Sequence, residues 1–242
     1  KEPQLSFDTN SSLHTGEMFG PYRVLRHLAT GGMAEIFLAE KIRTKGFRLT
    51  VVIKRIGHNL DEDPNFVDMF IDEAVLSAML NHPNVIKVID FGTLSDDYFI
   101  AMEYIGGISL HKLHEVCRNS QRPLSSAEIA TIGREIAKGL SYVHNLNDDT
   151  TNESLNVIHR DINPPNIMIS RHGEVKVMDF GVAKARSNFR RAQTVVGGIK
   201  GKLRYMSPEQ VSGKVLDKRS DQFALAVVLW ELSSGKPLFD GD

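Results

Sequence analysis

The sequence predicts an α+β fold in which a mainly antiparallel sheet with one helix comes first and a mainly helical region follows. Three observations carry this. Strand-like apolar runs crowd the N-terminal portion, at Tyr22–Leu28, Ile36–Lys41, Val51–Ile53, Val85–Phe91 and Tyr98–Glu103. Between Asn65 and Leu80 the residues Phe66, Met69, Phe70, Leu76, Met79 and Leu80 recur at helical spacing, and Glu73 lies on their inward face. Further on, Ser125-Ser126-Ala127-Glu128 is a capping-box signature ahead of Ile129, Ile132, Ile136, Leu140 and Val143, and Asp221–Leu232 is apolar nearly all round, as befits a buried helix.

Taken in order, residues 1–16 are polar and rich in Ser, Thr and Asn, and read as a flexible lead. Leu28-Ala29-Thr30-Gly31-Gly32-Met33-Ala34-Glu35-Ile36 then forms a glycine-bearing hairpin between two strands. The 242 residues are 41% hydrophobic and 24% charged with a net charge of −1, enough for a core and without general attraction to nucleic acid. The single cysteine, Cys117, rules out an intrachain disulfide and fits a reducing compartment, so a cytoplasmic location is expected. No apolar run approaches the ~18 residues of a membrane span, and the first residues carry no signal-peptide core. Opening on Lys1 rather than methionine, the chain reads as a piece of a longer protein, whose anchor could lie elsewhere.

Chemistry concentrates in the run His159-Arg160-Asp161-Ile162-Asn163-Pro164-Pro165-Asn166, followed thirteen residues after Asn166 by Asp179-Phe180-Gly181. The apolar stretches Ile167–Ile169 and Val175–Val177 flank a turn at His172-Gly173 and predict a short hairpin, with Asp161 and Asn166 before it and Asp179 after it. Two acids and an amide so placed suit phosphoryl transfer. That reaction needs an acceptor hydroxyl held in line and metal ions on the phosphate oxygens more than it needs covalent help from protein.

On these residues the chain resembles the eukaryotic-like (Hanks-type) serine/threonine protein kinases of bacteria, and is closest in pattern to the myxobacterial ones. The resemblance implies a two-lobed kinase fold, with residues 17–103 as the N-lobe and 104–242 as the hinge and an incomplete C-lobe. It implies an enzyme that uses ATP with Mg2+, or Mn2+, to phosphorylate proteins. Asp161 is then the catalytic base, and Asn166 and Asp179 are the metal ligands. In Val51-Val52-Ile53-Lys54, Lys54 clamps the ATP phosphates with Glu73 as its partner. Leu28, Ala29, Gly31, Gly32 and Ile36 line the nucleotide, although Ala29 and Ala34 stand where the family usually has glycines and each adds a methyl group that limits close backbone approach. Met102, Glu103 and Ile105 belong to the adenine-binding hinge, and Asp221 to the brace of the catalytic-loop backbone.

The same resemblance sets the activation segment at Asp179–Glu209, ending in Ser207-Pro208-Glu209. It makes Thr194 the first regulatory phosphosite and Ser187 the second, in a loop made basic by Arg186, Arg190 and Arg191 and read by Arg160. It also implies pairing of two copies for phosphorylation in trans. One departure concerns catalysis, because Asn163 stands where the serine/threonine members place a lysine, and Lys202 where they place a threonine. One reading is an exchange of partners that adds both residues to the catalytic set, so that Asn163→Lys would partly restore what Lys202→Thr removes; the other points Lys202 to solvent and leaves Asn163 merely weakening catalysis.

Further readings come from other classes of function. A pseudokinase scaffold that binds nucleotide without phosphotransfer fits Ala29, Ala34 and Asn163, and a small-molecule phosphotransferase fits less well because the long segment ending in S-P-E suits protein substrates. His111, His114 and Cys117 could share a helix face as metal ligands, but solvated helix residues are the better reading, since a fourth ligand is not evident. The polar stretch Asn145–Asn156 is a longer loop than the family commonly carries there. Ending at Asp242, the chain is expected to leave apolar surface open and Glu209 without a partner.

Overall fold

A computed structural model describes residues 13–31, 34–56, 64–94, 96–148, 150–180 and 203–239. The chain divides into two compact units, one made by the residues up to Asp68 with Ile89–Tyr104, the other by Met69–Val88 with the residues from Ile105 onward.

The first unit is a six-stranded sheet in the order β1-β2-β3-β4-β6-β5. Its strands are β1 (Met18–Phe19), β2 (Tyr22–Thr30), β3 (Ala34–Ile42), β4 (Arg48–Ile56), β5 (Val88–Leu94) and β6 (Asp97–Glu103). β1 to β2, β2 to β3, β3 to β4 and β4 to β6 are antiparallel. Side chains alternate across a strand, so Phe37 and Ala39, Val51 and Ile53, and Phe99 and Ala101 line one face and close over Phe19, Tyr22 and Val24. Arg55 continues that buried face and is only 1% exposed; Glu35 and Asp97 both pair with its guanidinium, which also lies over the Phe37 ring. Buried charge needs such pairing. Leu13 packs on the same core, and the Gly16 N–H donates to the Val24 carbonyl at 2.8 Å.

One expected strand moves. The sequence suggests Val85–Phe91, whereas β5 begins at Val88. Asn84 and Ile86 are taken up elsewhere, because the Ile86 N–H donates to Val177 O and the Asn84 carbonyl accepts from Val177 N–H, both at 2.9 Å. Apolar composition alone could not reveal which backbone these residues would pair with.

The second unit is built on α2 (Leu110–Asn119), α3 (Ser126–His144), α4 (Pro208–Val211) and α5 (Arg219–Ser234), while α1 (Pro64–Met79) runs across the division between the units. Its three-stranded sheet has the order β7 (Gly107–Ser109), β8 (Ile167–Ser170), β9 (Val175–Val177). The capping box expected at Ser125 forms: its hydroxyl accepts from the Glu128 N–H and the Glu128 carboxylate accepts from the Ser125 N–H. Ile132, Ile136, Leu140 and Val143 of α3 then meet Ala224, Val228 and Leu232 of α5, with Ile162, Ile167, Val175, Val177 and Phe180 completing the core. Within these residues α5 is buried on one face, and Trp230 remains 50% exposed. Among the described residues no helix is long and apolar enough to cross a membrane.

Candidate active site

The segment from His159 to Asn166 has little regular structure of its own, so side chains from elsewhere hold it. Ile162 anchors it in the core at 1% exposure. Arg160 takes a left-handed backbone, φ 67°, which side-chain-bearing residues adopt only under constraint. Asp221, at the start of α5, supplies that constraint by accepting the His159 N–H on one carboxylate oxygen and the Arg160 N–H on the other, each at 2.8 Å. From the other side Gln210 Nε2 donates to the Arg160 carbonyl at 2.8 Å, and Gln210 is itself fixed by a reciprocal capping box with Ser207.

Asp221 is buried, and the nearly covered side chain of His144 places its Nε2 2.7 Å from the carboxylate. Burial works to raise its pKa, but the His144 hydrogen bond, the nearby His159 and the two backbone N–H groups outweigh it and hold the carboxyl below its ordinary value. His159 is buried too, and burial lowers the pKa of its imidazole despite Asp221 and Asp161 nearby. Its tautomer follows from its partners: Nδ1 accepts the Asp161 N–H at 3.2 Å, so the proton sits on Nε2, which faces the Met178 carbonyl at 3.0 Å. That contact, with the Phe180 ring at 4.5 Å, ties the loop to the segment carrying Asp179.

The chain then makes a 3-10 turn at Pro164–Asn166, with Asn163 as its N-cap. Asn163 Oδ1 accepts the Asn166 N–H at 3.2 Å, while its Nδ2 donates to the Asp161 carbonyl and to Asp161 Oδ1, both at 3.0 Å. Asn166 Nδ2 donates to the same carbonyl at 2.9 Å and to Asp161 Oδ2 at 3.1 Å. Its backbone carbonyl accepts the Met178 N–H at 2.8 Å, which sets Asn166 beside the peptide leading to Asp179 (φ 54°). The expected hairpin is present as β8 and β9, paired Ile167 to Val177 and Ile169 to Val175, so Asp161, Asn166 and Asp179 all lie at its open end.

This arrangement has counterparts. The protein kinase domain family matches residues 22–242. The chain is a protein kinase domain. It is 42% identical over 213 residues, 88% of the chain, to the tyrosine-protein kinase MasK of Myxococcus xanthus. It is 36% identical, over 92% of the chain, to the serine/threonine-protein kinase PrkC of Bacillus subtilis, and 38% identical, over 91%, to the serine/threonine-protein kinase pkn3 of Myxococcus xanthus. It spans 32%, 32% and 39% of those three relatives respectively. Among solved structures, the PknI kinase domain of Mycobacterium tuberculosis superposes with a TM-score of 0.69 at 28% identity, over 95% of this chain and 78% of that one.

The family uses ATP and a divalent metal ion, and the donors here fit such an ion. Asn166 spends its amide nitrogen on Asp161, which leaves Oδ1 as a ligand atom, and Asp179 brings carboxylate oxygens; hard cations take oxygen ligands of these kinds. In the first unit Lys54 stands on β4 opposite Ile36 and Ile100, on the face away from Ile53 and Arg55. Met102 and Glu103 end β6 opposite Val52 and Val51. Leu28 and Ala29 lie on β2, and the Gly31 N–H closes the hairpin on the Ala34 carbonyl at 2.8 Å. Ala29 and Ala34 both lie in extended strands, a conformation that alanine adopts without strain. In the second unit Glu73 is half-buried on α1 and Ile105 is buried. Gly32, Ser187, Thr194 and Lys202 lie outside the described residues.

The structure corrects one expectation, because Glu209 does have a partner: Ser220 Oγ donates to its Oε1 at 2.6 Å. Two positioning groups went unnoticed in the sequence, His144 and Gln210. The first lay among helix-periodic residues without distinction. The second had a signal, since Ser207-Pro208-Glu209-Gln210 is itself an S-x-x-Q capping box.

Proposed function

We propose that this chain transfers the γ-phosphoryl group of ATP to serine or threonine hydroxyls of proteins in the cytoplasm. The observation that carries the reading is the doubly held carboxylate of Asp161, which shares the Asn166 side chain with the oxygen set for a metal ion. In this reading Asp161 accepts the hydrogen bond of the substrate hydroxyl and takes its proton as that oxygen attacks phosphorus in line and the bond to the β-phosphate oxygen breaks. Asn166 and Asp179 hold Mg2+ or Mn2+, which when bound offsets charge on the phosphate oxygens. Lys54 and Glu73 keep the roles that the resemblance implies, as do Leu28, Ala29, Gly31, Gly32 and Ile36 over the nucleotide and Met102, Glu103 and Ile105 at adenine. Lys202 is the candidate for an ammonium at the migrating phosphoryl group, and Thr194 and Ser187 are the candidate sites for phosphorylation in trans by a second copy.

The relatives named above include serine/threonine kinases and one tyrosine kinase, so the test must report which hydroxyl is used. The full-length protein is incubated with Mg-ATP and its phosphorylated residues are mapped by mass spectrometry beside Asp161→Asn, Thr194→Ala and Lys202→Thr. Phosphoserine or phosphothreonine that disappears in Asp161→Asn, with lower kcat in Lys202→Thr, is expected. Phosphotyrosine alone would overturn the substrate class. Nucleotide binding with no phosphate transferred would favour a scaffold.

A further inference from the structure

We infer that Asn163 is a positioning residue for Asp161, a neutral amide that fixes the plane of the catalytic carboxylate. The inference rests on the phosphotransfer reading above and adds to it a role for the residue that stands where the family's serine/threonine members carry a lysine. Asn163 is only 2% exposed, and both ends of its side chain are in use within the loop. Its Oδ1 caps the following turn through the Asn166 N–H, and its Nδ2 donates at 3.0 Å to the Asp161 carbonyl and Oδ1.

The second amide completes the device. Asn166 Nδ2 donates to the same carbonyl and to the other carboxylate oxygen, Oδ2, at 3.1 Å. Each oxygen of Asp161 therefore has its own donor, and rotating the carboxylate would lengthen both bonds together. The two donors are themselves tied, since Asn163 accepts from the backbone of Asn166 across a turn whose first two positions are Pro164 and Pro165. Proline fixes φ there, so the turn is stiff before substrate arrives.

The chemistry selects the residue type. The position requires an acceptor for the cap and a donor for the carboxylate on one short side chain. Serine and aspartate cap a turn about as well as asparagine, but aspartate cannot donate and a serine hydroxyl has no second arm. Lysine donates but cannot accept. A lysine here would therefore remove the cap, so on this inference Asn163→Lys by itself lowers activity.

The test compares Asn163→Ser, Asn163→Ala and Asn163→Lys in the full-length protein, with Asp161→Asn as control, by steady-state kinetics and thermal melting. Asn163→Ser keeps the cap acceptor, so its melting temperature and KM for ATP should stay near wild type while kcat falls about 10- to 100-fold, the scale of a small misplacement of a reacting group. Asn163→Ala and Asn163→Lys should lose kcat as much and melt earlier. Wild-type kcat in Asn163→Ser, or a gain in Asn163→Lys, would overturn this inference alone. A wild-type protein as inactive as Asp161→Asn would overturn the phosphotransfer reading and this inference with it.

Discussion

Arg160 is held in a backbone region that costs a side-chain-bearing residue about 1–2 kcal/mol, and the structure shows what offsets that cost. Its N–H goes to Asp221 and its carbonyl to Gln210, so the two peptide units that flank its Cα are each gripped by a buried side chain. Asp221 does more than a neutral residue could, because a carboxylate offers acceptors to two backbone N–H groups and to His144 at once. Asp221→Asn turns one of those oxygens into an NH2 that must face a donor. At 1% exposure no water relieves the mismatch, so the variant should lose about 2–4 kcal/mol of unfolding free energy in urea titrations. Its kcat should fall by about 100-fold or more as Asp161 shifts with its loop. Wild-type stability in Asp221→Asn would mean that the carboxylate is not what holds the left-handed turn.

Between elements, close approach does what side chains do within the loop. Gly107 opens β7 so near β8 that a Cβ there would lie 1.9 Å from the Ile169 carbonyl oxygen, a backbone atom that cannot swing aside. Gly107→Ala should therefore part β7 from β8 and cost about 3 kcal/mol in chemical denaturation; a loss below about 1 kcal/mol would show that the strands can separate without penalty. This strand was not legible in the sequence, being three residues long and specified by the absence of a side chain. By contrast β8 and β9 were legible, because apolar runs flank a His172-Gly173 turn, and so was the start of α3, because Ser125 and Glu128 satisfy each other locally. The start of β5 was lost to tertiary pairing at Asn84 and Ile86. At Asn163 the sequence displays the charge that is lacking more plainly than the bonds the residue makes. Its signal was local all the same, since an Asn followed by Pro164 is a turn-initiating pair with proline at the first turn position.

At the scale of the whole chain, the described residues of the two units include different titrating groups with shifted values, and this predicts which unit acid attacks first. In the second unit burial lowers the pKa of His159, so the folded imidazole stays neutral at pH values where the unfolded one, with an ordinary value of 6.5, takes up a proton. Below that value the unfolded state binds more protons, so stability falls with pH by up to about 1.4 kcal/mol per unit until the folded imidazole also titrates. His82, in the same unit, is lowered by burial and by Lys138, and adds in the same direction. The Asp221 contribution has the opposite arrangement of charge but the same slope, and is lost only further down, as pH falls through its depressed value. Among the described residues of the first unit the carboxylic acid with a shifted value is Asp90. Burial would raise it, but hydrogen bonds from Lys41 and Tyr22 prevail and leave it below 3.8, so its contribution persists throughout mildly acid conditions. Between about pH 6.5 and 4.5 the second unit should therefore lose stability while the first keeps it. Native-state hydrogen exchange, corrected for intrinsic rates, would show protection falling at Ile162, Ile167 and Val177 before Val24, Phe37 and Ile53. Equal loss in both sets would mean that the units open as one, and loss in the first set only below pH 4 would mean that His159 charges without cost.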